Sequence, residues 1–176
     1  MEFRILGPLE VCDDGRRLAL GGARRRALLA MLLLHPNEVV SSDRLIDALW
    51  GEKPPDNAAK ALQVHVSGLR KLLEPEHRPG EPHGVLVPRP PGYLLELAPE
   101  QLDLGRFERL RTEASQALAA GDAAAAVGKL RGALALWRGS PLADVAYEPF
   151  AQTEIARLEE LRVAALEDWL EAELAL

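Results

Sequence analysis

The sequence predicts an α+β segment followed by an all-α segment, and three observations carry that prediction. Short apolar runs punctuated by Gly, Pro and Asp stand at both ends of residues 1–97. Between them, Leu62, Val66, Leu69 and Leu73 recur at intervals of four, three and four, which places them on one narrow stripe of a helix. From about Leu97 onward the chain becomes rich in Ala and Leu at helical spacing.

Composition bounds the answer further. At 176 residues and 48% apolar content the chain holds enough material for a real core. Its longest apolar run, around Ala27–Leu34, is too short to span a membrane, and no signal segment opens the chain, so a cytoplasmic protein with no membrane partner is expected. The single Cys12 rules out an internal disulfide and reads as a small strand hydrophobe. The net charge of −6 is uneven: residues 1–97 carry 13 Lys+Arg against 13 Asp+Glu, and residues 98–176 carry 8 against 14. A neutral first part can bear a local basic face, whereas the acidic second part repels nucleic acid. Two domains, 1–97 and 98–176, with two classes of partner are the simplest reading.

In chain order, FRILGPLEV, the turn Asp13-Asp14-Gly15 and RRLAL predict a hairpin too small to stand alone, which must pack on the helices that follow. Ala23–His35 predicts a helix that is apolar almost all round, hence central to its domain. Its first turn holds Arg24, Arg25 and Arg26, the wrong charge for the positive end of a helix dipole, and a nearby phosphate would relieve it; the alternative is three solvated arginines. Ser41 or Ser42 caps a short helix over SSDRLIDALW, with Leu45, Ile46 and Leu49 inward. Trp50 ends it, and an indole N–H there can reach a phosphate.

A loop through Pro54-Pro55 follows, and Asp56 or Asn57 caps the helix that carries the apolar stripe. Its opposite face presents Lys60, Val64, Ser67 and Lys71, with Gln63 and Arg70 on one edge and Gly68 on the other. Amines that reach phosphates and a Gln or Arg that reads base edges suit a DNA major groove, and a face without carboxylates is unusual in an acidic chain. Taken alone, the stretch reads equally as a solvated amphipathic helix. The polar, proline-rich run 74–84 cannot continue it. VLVPRPPGYLLEL then predicts a second hairpin with Arg89 at its tip, placed for minor-groove contact or for solvent.

The order of strands, helix, helix, loop, helix and hairpin is that of a winged helix-turn-helix. VVSSDRLIDALWG, LQVHVSGLRKLL and VPRPPGY resemble the DNA-binding domain of OmpR/PhoB-type response regulators. With the opening ILGPLEV and the segment after residue 97, the whole chain resembles the SARP family, the antibiotic regulatory activators of actinobacteria. The resemblance implies an OmpR/PhoB-like winged helix followed by an all-α, tetratricopeptide-like bacterial transcriptional activation domain. It also implies contacts to double-stranded DNA by Lys60, Gln63, Val64, Ser67, Arg70, Lys71 and Arg89, with phosphate contacts from Arg24, Arg25, Arg26, Ser42, Trp50 and Tyr93. Gly68 departs from a basic residue often found there, so one contact is missing or is made by closer backbone approach. Direct repeats upstream of promoters, a homodimer on DNA, RNA polymerase with its sigma factor, and control of secondary-metabolite clusters belong to the same implication.

In the second segment, Asp103 onward predicts two antiparallel helices joined at Gly121-Asp122, with Leu104, Phe107, Leu110, Ala114 and Leu118 facing Ala126, Leu130, Leu134 and Trp137. Ala151–Leu176 predicts one long helix with Ile155, Leu158, Leu161 or Arg162, Ala165 and Leu166 inward. In the family this domain continues for further helices, so it is expected to be incomplete here. The chain is then a piece of a longer protein or a short member, or its last helix pairs with another molecule.

No catalytic site is expected. His35, His65, His77 and His83 lie in unrelated contexts without a metal-binding motif, no nucleotide-binding glycine motif is present, and pairs such as Glu154 with Arg157 read as surface ion pairs. No metal and no cofactor are called for. The alternative function is a helical protein-interaction or signal-sensing scaffold in which the winged helix does not bind DNA.

Overall fold

A computed structural model describes all 176 residues. Strands β1 (Glu2–Arg4), β2 (Glu10–Asp13) and β3 (Arg16–Arg17) form an antiparallel sheet in that order. The Asp14-Gly15 turn sits at positive φ on both residues, the geometry a two-residue hairpin requires. FRILGPLEV is not one strand as the sequence predicts. Pro8 has no N–H to give a ladder, and the chain leaves the sheet at Ile5–Leu9 to fold back.

Helix α1 (Ala23–Leu33) ends before the predicted His35, and its seven residues Ala27–Leu33 are all buried. It is central, as its uninterrupted apolar run requires. Strand β4 (Val39–Ser41) leads into α2 (Ser42–Trp50), where the Ser41 hydroxyl accepts the Arg44 N–H at 3.2 Å. Helix α3 (Ala58–Leu73) is capped by Asn57, whose side-chain oxygen accepts the Lys60 N–H at 3.0 Å, and its buried residues are Leu62, Val66, Leu69 and Leu73. Ile46 of α2 is only half-buried.

Strands β5 (Leu86–Arg89) and β6 (Gly92–Leu95) form the wing, with β6 between β4 and β5. The sequence does not announce the β4 pairing, because three residues carry too little periodicity to register. Gly92 is obligatory in this sheet: a Cβ there would lie 1.9 Å from the Val40 carbonyl oxygen. Asn37 closes the sheet's other end, accepting from the Leu97 N–H and donating to its carbonyl, both at 2.9 Å.

Helices α4 (Asp103–Ala119), α5 (Ala123–Leu134) and α6 (Pro149–Leu174) follow as an antiparallel succession, with Asp122 capping α5 through the Ala125 N–H at 2.9 Å. Phe107 and Trp137 meet edge to face at 5.4 Å, and the Arg162 guanidinium lies 5.3 Å over the Trp137 ring. Helix α6 buries Ala151, Leu158, Ala165 and Ala172, one residue every seven, so it presents a narrow seam. Leu166, predicted inward, lies off that seam and is 40% exposed.

One buried cluster of 33 residues runs from Phe3 through α1 and α3 to Leu158 and Ala165, crossing residue 97 without a break. Asp103 fastens it. Its buried carboxylate accepts the Ile5 N–H at 2.8 and 3.0 Å and the Leu6 N–H at 3.0 Å, while the Leu6 and Ile5 carbonyls accept from the Arg138 and Leu142 N–H groups at 2.8 and 2.9 Å. Burial pushes the Asp103 carboxyl up, against the pull of the Ile5, Leu6 and Leu104 N–H groups and Arg138. A folded pKa above the unfolded one means that proton release opposes folding, so the stability this residue contributes declines as pH rises through the raised value. Asp103→Ala leaves two buried donors without an acceptor and is expected to cost about 2–5 kcal/mol, read as a lower midpoint in urea unfolding at unchanged slope.

Candidate nucleic-acid interface

The outer face of α3 follows directly from its buried stripe. With Leu62, Val66, Leu69 and Leu73 turned to the core, Lys60, Gln63, Val64, Ser67 and Lys71 are exposed, Val64 at 62%. A groove of about 700 Å³ runs along this face, lined by these five residues with Arg25, Gly68 and Leu72, and no carboxylate enters it. Wing residue Arg89 is exposed on β5, paired in register with Gly92.

The three arginines at the start of α1 do not converge, because successive helical residues point about 100° apart. Arg24 turns to the end of α2 and donates to the Leu49 carbonyl, where a cation suits the negative end of the dipole. Arg26 turns to the helical half and pairs with Asp144 at 2.6 Å. Only Arg25 reaches the α3 groove. The expected phosphate surface of three arginines is therefore one arginine, with Arg24 at its margin and Arg26 outside it.

Arg70 also departs from expectation. Its Nε donates to the Leu86 carbonyl at 2.9 Å and its guanidinium lies 5.7 Å from the Tyr93 ring centre, so it ties α3 to the wing rather than standing free toward a groove. Tyr93 is half-buried beneath it. At the start of α2, the Ser42 N–H donates to the Pro91 carbonyl at 3.1 Å, which fixes the wing tip against that helix.

Glu74, just past α3, holds the other end of the wing. It accepts from the Gly84 and Val85 N–H groups at 2.5 and 2.9 Å and pairs with His83 at 2.7 Å. Burial works to raise its pKa, and these donors outweigh it and hold the carboxyl below the usual range.

His65, which sequence reasoning passes over, lies on α3 with its ring 6.0 Å from Trp50. Its spacing of three from Leu62 could have placed it at the edge of the buried stripe.

Family comparisons bear on the whole arrangement. Residues 15–95 match the model described as "Transcriptional regulatory protein, C terminal", and residues 102–176 match "Bacterial transcriptional activator domain". The chain is 43% identical to Regulatory protein AfsR of Streptomyces coelicolor over 99% of its own length and 17% of that protein. It is 37% identical to Transcriptional regulator RedD of the same organism, over 98% of itself and 49% of that protein. The chain belongs to the SARP family.

A solved structure, Mycobacterium tuberculosis EmbR in complex with a low affinity phosphopeptide, superposes with a TM-score of 0.93 at 39% identity over 98% of this chain and 45% of that one. This SARP chain thus spans at most about half the length of these relatives. They are transcriptional regulators, and no helix here is long and apolar enough to cross a membrane.

Burial, with Arg25 and Arg24 beside it, holds His65 below the ordinary histidine range. Charging His65 opposes folding, so stability falls as pH drops below the unfolded value and levels off below the folded one. An NMR titration should place the His65 midpoint below that of a free histidine, and Arg25→Ala should move it upward; an unchanged midpoint in the variant contradicts this electrostatic picture.

Proposed function

We propose that this chain is a sequence-specific DNA-binding transcriptional activator. Helix α3 enters a major groove with Gln63, Val64 and Ser67 toward base edges and Lys60 and Lys71 toward phosphates, while Arg89 on the wing reaches the adjacent minor groove. The supporting observation is the α3 face itself: two lysines and Arg25 around a groove without a carboxylate, in a chain of net charge −6.

Residues 1–97 form the DNA-binding unit in this reading, and residues 98–176 the activation unit. Two copies occupy direct repeats upstream of a promoter, because one lightly charged helix and one wing arginine supply few phosphate contacts. The acidic helical part recruits RNA polymerase through its sigma factor, in the cytoplasm, at secondary-metabolite genes. AfsR and RedD carry regulatory names in an actinomycete, which supports the activator class.

A second reading, a protein-interaction or signal-sensing scaffold, draws on the neutral charge of residues 1–97 and on Val163, Leu166, Leu170 and Leu174, which form an exposed apolar stripe on α6. Failure of the chain to enrich any duplex from a random pool, with capture of a protein partner retained, selects it.

Lys60→Ala, Lys71→Ala and Arg89→Ala combined should weaken binding to a selected duplex and reduce the salt slope of log K by roughly three, about one for each phosphate no longer neutralised. A footprint unchanged by the triple substitution at fixed salt overturns the docking.

A further inference from the structure

Gly68 stands in the middle of α3, eleven residues in, where glycine lowers helix stability and alanine would be the better choice. The reason for glycine is visible in the space around it. A Cβ at position 68 would lie 2.5 Å from Arg25 Nη2, 2.7 Å from its Cζ and 2.9 Å from its Nε. Gly21, which precedes α1 at φ +85°, faces the same guanidinium from the other side: a Cβ there would lie 3.0 Å from Arg25 Nη1. Two glycines 47 positions apart in the chain are fitted to one side chain.

The guanidinium between them differs from those of its neighbours. Arg24 and Arg26 are bonded to the Leu49 carbonyl and to Asp144, whereas Arg25 Nε is buried with no hydrogen-bond partner. Shape holds Arg25 in place, and its charge is left for something outside the chain. It lies along the groove shared with Lys60, Ser67 and Lys71. His65 is depressed partly by Arg25 and Arg24, which marks the neighbourhood as electropositive.

We infer that Gly21 and Gly68 form a slot that seats the Arg25 guanidinium beside the outer face of α3, and that Arg25 there makes a DNA-phosphate contact in place of a side chain at position 68. The inference rests on the DNA-binding reading above. It makes Gly68 a positioning residue that acts through Arg25, and it answers the absence of a basic residue at 68: the charge is supplied from α1.

The test uses the full chain and a duplex selected from a random pool, with affinity measured by fluorescence anisotropy across a salt series. Gly68→Ala should fold with an unlowered melting temperature, since alanine favours the helix. It should nevertheless bind about tenfold more weakly, with the salt slope reduced by about one. Arg25→Ala should show the same weakening and the same slope, and the double variant should be no weaker than either single one, because both remove the same phosphate interaction.

Gly68→Ala binding as tightly as the parent, or effects that multiply in the double variant, overturns the slot. If Gly68→Ala does not fold, Arg25→Ala decides alone, and a parental salt slope in it overturns the inference. A parent that binds no duplex overturns the DNA reading itself, which distinguishes that failure from failure of the slot.

Discussion

Ile5 and Leu6 lie outside any strand, yet all four of their backbone polar groups are satisfied by residues about a hundred or more positions away. Their N–H groups go to the Asp103 carboxylate, and their carbonyls take the N–H groups of Arg138 and Leu142. A buried backbone turn has to find such partners, since each orphaned group costs on the order of 1–3 kcal/mol. The N-terminal sheet is therefore held to the helical half before it meets anything else. Arg138 extends the attachment, donating to the Pro8 carbonyl at 2.9 Å and pairing with Glu10 at 3.0 Å. Helix α1 packs against α2 and α3 on the one hand and the Ala143–Val145 turn on the other, so the buried cluster is continuous. Packing at the α6 end of the molecule can bear on the orientation of α1, and α1 carries Arg25.

The DNA-facing surface is built by subtraction. Arginines that look equivalent in the sequence have different partners: Arg24 an α2 carbonyl, Arg26 Asp144, Arg70 the Leu86 carbonyl and the Tyr93 ring. What remains toward the groove is Lys60, Lys71 and Arg25, with Arg89 on the wing. Such a surface is sparse in charge. Sparse charge lowers nonspecific binding, since that is governed by the number of phosphates neutralised, and leaves discrimination to base contacts and repeated half-sites.

Much of the fold is legible because the relevant signals are local. The α3 stripe is read from spacing alone, and all four of its residues are buried. The Asp14-Gly15 turn and the Asn57 cap are likewise written in adjacent residues. The misread features depend on distant partners. Strand β4 exists because β6 pairs with it, and the fold-back at Ile5–Leu9 exists because Asp103 accepts its N–H groups. Apolarity points Leu166 inward, but a seam of one residue in seven leaves it outside. In the candidate site, residue types are readable and their availability is not. A cluster such as Arg24, Arg25 and Arg26 does not say which acceptors each side chain will find.

The central claim is that α3 and the wing address one continuous stretch of duplex. Hydroxyl-radical footprinting of the chain on a selected duplex tests it most directly. The expected result is protected sugars on both strands flanking one major groove, with a further protected patch across the adjacent minor groove where Arg89 sits, repeated about one helical turn along for a second copy. Uniform weak protection without this pattern, or none at concentrations that saturate binding, would contradict it.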